Sequence, residues 1–302
     1  MIPERRRAAA WLFVPGAIDR FVARVSASPP DAVVFDLEDG VAPDDLHGAR
    51  RRIRRAAVAC AARAEIYLRT HAADHPAFAD DIAAAWGEAF TGVVVPKVTS
   101  PDDVRHVERT VMERERTDGT PARPWSIVPM IESAIGLERA AVVLQASPRV
   151  AGVAIGAADL AADLGLPPAE PSDVEASAAR DAILGAARAR VVVAAAASGI
   201  VVRLETPPMQ WADAEALVRE ARRARAAGFT GRLLVHPEQV EPTRRGFAPG
   251  SEELRWARSL SEEAARRRRD GLGGGAWRFE DRMIDEAVLR QARALLGIDE
   301  LG

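Results

Sequence analysis

The sequence is short of the side chains that build several kinds of site. It has one cysteine, Cys60, in 302 residues, which excludes a disulfide framework and a thiolate metal cluster. Histidine is scarce at five, and His47, His71, His75 and His106 have no metal-ligand spacing, so no His/Cys set suggests zinc. Long apolar runs are missing too. The apolar stretch after the basic start ends at Pro15-Gly16, too short to span a membrane and followed by no small-residue cleavage site, so a cytoplasmic protein is expected. Charge of one sign is lacking: the net charge is −3, with arginines interleaved among acids as on solvated helix faces. That gives no general attraction to nucleic acid or membrane lipid. There is no phosphate-loop glycine signature and no G-x-S-x-G elbow, so a Ser–His–acid triad is not indicated. Lysine is the rarest cation. Of 41 basic side chains only Lys97 is a lysine, which in an arginine-biased chain points to a site where the planar guanidinium does not fit, the alternative being chance survival at a neutral position.

What is present is a soluble globular composition, 48% apolar and 28% charged, in a chain long enough to bury a large core. Short apolar runs alternate with longer helical stretches eight times, the runs lying at 11–14, 32–37, 66–69, 92–95, 126–131, 150–155, 200–204 and 233–235. Several are rich in Val and Ile without polar alternation, as parallel strands covered on both faces require. Start and stop signals flank the helical stretches. Ser100-Pro101-Asp102-Asp103 combines a capping hydroxyl, a first-turn proline and two acids, while Asp213 precedes a helix ending at Gly228. The stretch 172–198 reads as one long Ala-rich helix or two broken ones. Eight β-then-α units over residues 1–240 predict an α/β fold, a TIM (β/α)₈ barrel. Residues 241–302 form a C-terminal helical lid segment: a charged helix over 251–270, a hinge at Gly271–Gly275, and a final helix over 284–296. Its core is too small for an independent domain, so docking on the barrel or on a neighbouring subunit is expected.

Barrels of this kind carry their chemistry at the C-terminal ends of the strands. There the runs are followed by Pro15-Gly16, Asp36-Leu37-Glu38-Asp39, Arg69-Thr70-His71, Lys97, Glu132-Ser133, Asp159, Glu205 and His236. Glu132 and Asp159 end consecutive strands, which lie ~4.8 Å apart, so the two carboxylates can meet around one cation, and Mg²⁺ suits two carboxylates plus waters. The alternative is that one acid caps a helix and the other pairs with an arginine. Arg69 is the natural carboxylate clamp through two parallel hydrogen bonds; the alternative, a buried ion pair with Asp36 or Glu38, does not exclude that role, and the acidic cluster Asp36-Glu38-Asp39 then orients Arg69 and Lys97 or holds metal-bound water. His236 stands between a site role and a satisfied core histidine.

The motifs Leu12-Phe13-Val14-Pro15-Gly16, Asp36-Leu37-Glu38-Asp39-Gly40-Val41-Ala42-Pro43, Val95-Pro96-Lys97-Val98, Ile131-Glu132-Ser133-Ala134, Gly156-Ala157-Ala158-Asp159-Leu160, Gly228-Phe229 and His236-Pro237-Glu238-Gln239-Val240 occur in this order across nearly the whole chain. In them the sequence resembles the citrate lyase β-subunit/malyl-CoA lyase branch of the HpcH/HpaI aldolase/citrate lyase superfamily. The resemblance implies a Mg²⁺-dependent barrel, a homotrimer or homohexamer, with the metal at Glu132 and Asp159. It implies that Arg69 contacts an α-keto acid, that Gly156, Asp36, Glu38 and Pro237 line the substrate site beside it, and that CoA enters from the rim. Asp285, in Met283-Ile284-Asp285, is the implied acid/base, reaching the site from an adjacent subunit, with Lys97 assisting. The implied activity is cleavage or condensation of a malyl-type (3-hydroxy-3-carboxyalkyl) CoA thioester, giving acyl-CoA and an α-keto acid. A malyl-CoA-type thioesterase, a citryl-thioester lyase subunit that works only in a larger complex, and a pyruvate-type aldolase are the alternatives, the last opposed by the Met283-Ile284-Asp285 segment. The chain departs from the family pattern at His71, Leu46, Glu205, Gln210 and the arginines displaced to 5–7, which leaves the acyl group open.

Overall fold

The computed structural model describes residues 8–16, 18–119, 124–168 and 173–297. The arginines at 5–7 and the first residue of the 172–198 stretch lie outside them. Among the described residues, no helix is long and apolar enough to cross a membrane. The chain divides into two compact units, Met1–Phe247 and Ala248–Gly302.

In the first unit eight parallel strands close into a barrel, as the eight apolar runs predict. They are β1 (Ala10–Pro15), β2 (Ala32–Asp36), β3 (Glu65–Arg69), β4 (Gly92–Val95), β5 (Ser126–Ile131), β6 (Gly152–Ile155), β7 (Val202–Glu205) and β8 (Gly231–Leu234). The surrounding helices are α1 (Asp19–Ala27), α2 (Leu46–Cys60), α3 (Phe78–Ala85), α4 (Pro101–Asp118), α5 (Ala134–Glu138), α6 (Ala140–Leu144), α7 (Ala157–Asp163), α8 (Val174–Ala197), α9 (Ala214–Ala226) and α10 (Val240–Phe247). The start signals act as expected. Ser100 and Asp103 form a reciprocal capping box on α4, and the Asp213 carboxylate accepts from the Ala216 amide to cap α9. The Ala-rich stretch is a single helix, α8, despite Gly185 in its middle.

Strand geometry divides the core in two. Successive side chains point to opposite faces, so one set, including Val33, Phe35, Leu68, Val93 and Ile131, packs against the helices. The other set, Trp11, Val34, Tyr67, Val94, Met130, Ala154, Leu204 and Leu233 among them, fills the barrel. β1 pairs with β8 to close the ring, and there Asp31 accepts from the Ala9 and Ala10 amides and pairs with Arg244 of α10. Because α10 packs on α9 and β1, the first unit runs to Phe247, past the boundary at 240 drawn from the sequence.

The second unit contains α11 (Ser251–Arg269), β9 (Trp277–Phe279), β10 (Arg282–Ile284) and α12 (Glu286–Leu296). Ala257, Leu260, Ala264, Ile284, Leu289 and Ala292 make a small core of its own. Residues 277–284, between the expected hinge at 271–275 and the expected final helix, form an antiparallel hairpin. Gly271 and Gly275 take positive φ, +73° and +77°, in the loop that turns the chain from α11 into that hairpin, a conformation glycine adopts without cost.

Candidate active site

The catalytic layer follows from the same alternation that fills the barrel. Two residues beyond interior-facing Val34, Tyr67, Met130, Ala154 and Leu204 come Asp36, Arg69, Glu132, Gly156 and Thr206. A step of two keeps a side chain on the same face, so these residues form the next layer up, at the C-terminal mouth of the barrel.

Asp36 and Arg69 stand opposite each other in the β2–β3 register. The Arg69 guanidinium therefore meets the carboxylate edge to edge, Nε to Oδ1 at 2.7 Å and Nη2 to Oδ2 at 2.6 Å. Asp36 also accepts from the amides of Glu38 and Gly40, which shapes the turn after β2. A Cβ at residue 40 would fall 2.4 Å from Asp36 Oδ2, so only glycine fits there. Arg69 Nη1 lies 3.1 Å from Glu38 Oε2 and 3.6 Å from Asp39 Oδ2, and the guanidinium packs over the Phe13 ring at 4.6 Å. Burial works against its charge, but Asp36, Glu38 and Asp39 outweigh that and raise its pKa. The two-point edge of Arg69 is thus occupied by Asp36, the ion pair that the sequence offers as an alternative. Asp36 itself is an orienting residue with its oxygens already engaged, and Phe13 is a site neighbour that spacing arguments miss.

Lys97 ties two strand ends together. Its backbone is left-handed at φ +54°, an uncommon conformation for a side-chain-bearing residue. Its amide donates to Glu132 Oε2 at 2.8 Å, and its ammonium lies 2.7 Å from Glu38 Oε1, a contact that raises its pKa. Burial pushes the Glu38 carboxyl up, against the opposing pull of Lys97 and Arg69. Glu132, only 5% exposed, is pushed up to about 7, first by burial and then by the negative charges of Asp159 and Glu38, with the Lys97 amide pulling the other way. Gly156 lies beside it; a Cβ there would sit 2.3 Å from Glu132 Oε1. Asp159 is exposed in the first turn of α7, where the helix dipole favours a carboxylate.

These groups fit a hard divalent cation. A buried carboxylate opposed by two further acids is a charge arrangement that a cation relieves. Among the described residues no three His, Cys, Asp or Glu side chains converge as a metal cage. A pair of carboxylates is a donor set that suits Mg²⁺, which uses one or two carboxylates and keeps its waters.

Other strand-end residues turn away from this layer. Glu205 is one residue past interior-facing Leu204, so it points outward and binds Arg188 Nε of α8 at 2.8 Å; it is not part of the mouth. His71 is held by Asp81, fully buried, through both its amide (3.0 Å) and its ring Nδ1 (2.6 Å), and Arg50 neutralises the same carboxylate. His236 is not a core residue: its Nδ1 accepts from the Glu238 amide and caps the 3₁₀ turn Pro237–Gln239, which Pro237 opens. Asp285, in the second unit, accepts from the Val288 amide as the N-cap of α12 and is exposed.

A (β/α)₈ barrel with an arginine, a lysine and paired carboxylates at its C-terminal mouth belongs to the class that handles small anionic substrates beside a cation. Residues 9–237 match the model of the HpcH/HpaI aldolase/citrate lyase family, and the chain belongs to that family. It is 33% identical to the citrate lyase subunit beta-like protein of Deinococcus radiodurans, over 94% of this chain and 95% of that protein. With the L-malyl-CoA/beta-methylmalyl-CoA lyase of Cereibacter sphaeroides it shares 29% over 97% and 95%. Among solved structures it resembles the protein CitE from Mycobacterium tuberculosis in complex with magnesium, acetoacetate and coenzyme A. That match has a TM-score of 0.76 at 29% identity and covers 97% of this chain and 98% of that one.

Proposed function

We propose that this chain is a Mg²⁺-dependent carbon–carbon lyase that cleaves, or in reverse condenses, a malyl-type CoA thioester into acyl-CoA and an α-keto acid. The observation that carries the proposal is the layer of Glu132, Asp159, Lys97 and Asp36-held Arg69 at the barrel mouth, in a family whose relatives include named CoA-ester lyases. Glu132 and Asp159 would hold the ion, and the missing side chain at Gly156 leaves the space that the Glu132 carboxylate occupies. When bound, Mg²⁺ supplies Lewis-acid polarisation of the substrate oxygens.

The chain's own residues do the rest. The Nη1 end of Arg69 and the Lys97 ammonium face the substrate carboxylate and carry its charge, while Asp36 and Phe13 keep Arg69 fixed. Glu38 balances both cations, and Pro237 borders the site from the β8 side. In cleavage the substrate hydroxyl gives its proton to solvent water, the C–C bond electrons pass to the thioester α-carbon, and the keto acid departs. Asp285, protonated, delivers a proton to that carbon; in condensation its carboxylate removes one. The family resemblance supports placing Asp285 of one copy at a neighbour's site, in a cytoplasmic homotrimer or homohexamer.

The test is a panel of malyl-type CoA thioesters incubated with the purified chain, with and without EDTA, while keto acid, acyl-CoA and free CoA are all quantified. Equimolar keto acid and acyl-CoA, abolished by EDTA, is the expected result. Free CoA without keto acid would make the chain a thioesterase. No turnover of any ester with saturating Mg²⁺ would favour a subunit that works only in a larger complex.

A further inference from the structure

The loop after β7 presents an aromatic surface that the chemistry above does not use. Trp211 is 49% exposed and Met209 80%, in a chain with only 5% aromatic residues. An indole left in water forgoes the apolar burial that normally holds it inside a fold. Yet this loop is firmly built. The Gln239 side chain, fully buried, donates through Nε2 to the carbonyls of Pro208 (2.8 Å) and Gln210 (3.0 Å), the two residues flanking Met209. Its Oε1 accepts from the amides of Val235 and His236. One side chain therefore clamps the loop after β7 to the loop after β8.

The Trp211 ring is held as well. His236 stacks on it, centroids 5.3 Å apart and planes 22° from parallel. The imidazole is itself fixed, because its Nδ1 accepts from the Glu238 amide. The Trp211 ring is thus backed on one face by His236. The loop also starts at the catalytic layer: Thr206 Oγ1 accepts from the Ala157 amide at 3.4 Å, in the turn between Gly156 and Asp159.

We propose that Trp211, supported by His236 and Gln239, is the stacking platform for the purine base of the CoA thioester, an inference that rests on the lyase reading above. A CoA ester carries its reacting carbon at one end and a planar base at the other. A flat ring backed by a second ring, on the same rim as the catalytic layer, is the surface such a base recognises, since base–aromatic stacking needs only a π-face. Preorganisation by Gln239 and His236 lowers the ordering cost of binding. Met209, flexible and polarisable, offers an adaptable edge to the same ligand.

The experiment compares KM for a CoA thioester with KM for the matching pantetheine thioester, which lacks the nucleotide, in wild type, Trp211→Ala and Trp211→Phe. Trp211→Ala is expected to raise KM for the CoA ester about tenfold, equivalent to roughly 1.4 kcal/mol, with kcat unchanged. KM for the pantetheine ester should not move, which also shows that the variant is folded. Trp211→Phe, keeping a ring, should restore most of the affinity. Adenosine 3′,5′-bisphosphate should quench a fluorescence component present in wild type and missing from Trp211→Phe. Equal effects on both esters, no effect on either, or a smaller oligomer in light scattering of Trp211→Ala would overturn the platform and leave the lyase reading standing. If wild type cleaves neither ester, the lyase reading fails, and the quenching alone decides whether Trp211 binds the base.

Discussion

The Glu132 carboxyl is pushed up to about 7 from an ordinary 4.5, so its protonation is coupled to folding. A group whose folded pKa is raised contributes its stability below the unfolded value and loses it as pH rises through the folded one. Metal-free protein should therefore lose stability between pH 4.5 and about 7 from this group, by up to about 3 kcal/mol. Glu132→Gln should flatten that part of the profile and leave the metal-free protein more stable than wild type at pH 8, measured by urea unfolding in EDTA. Saturating Mg²⁺ should remove the advantage. Gly156 makes a complementary test. Gly156→Ala places a methyl against Glu132 Oε1, and a displacement of this size should lower kcat on the order of 100-fold and, as overpacking of a buried site, cost about 1–3 kcal/mol of stability. Asp36, Arg69 and Glu132 were legible in the sequence because each ends an apolar run. Their partners were not, because pairing depends on register and on which face a residue occupies. Glu205 shows this: one step past Leu204, it turns away from the mouth to Arg188.

At the scale of elements, the eight barrel strands were readable because both faces are buried and the runs are continuously apolar. The hairpin of β9 and β10 was not. Its strands are three residues each, and its two-residue loop, Glu280-Asp281, lacks the glycine or asparagine that usually marks such turns; Glu280 adopts φ +51° instead. The aromatic alternation of Trp277 and Phe279 was the available signal. This hairpin leads into α12, whose first residue is preceded by Asp285 as its cap. Capping and proton transfer can be separated, because asparagine caps a helix as well as aspartate does. Asp285→Asn should keep the unfolding midpoint and lower kcat by about 10²–10⁴, whereas Asp285→Ala should also cost about 1 kcal/mol of stability. Wild-type turnover in Asp285→Asn would reduce Asp285 to a cap.

Over the whole molecule, the barrel supplies two cores and one chemical layer. The apolar residues in the barrel interior lie below the ionic residues at the mouth, so the charges gather at one end without interrupting the packing. The sequence could indicate that end, since the ionisable groups close the strands on one side. It could not divide the chain after Phe247, because the packing of α10 on α9 and β1 is a tertiary feature with no local mark. All of the proposed chemistry depends on the cation at Glu132 and Asp159, and calorimetric titration of metal-stripped protein with Mg²⁺ at pH 7 examines that dependence directly. Wild type should bind one ion per chain and release about half a proton, because Glu132 is partly protonated there and a bound carboxylate is not. Glu132→Gln should show neither the binding nor the release over the same Mg²⁺ range. Unchanged Mg²⁺ binding in Glu132→Gln would contradict the assignment.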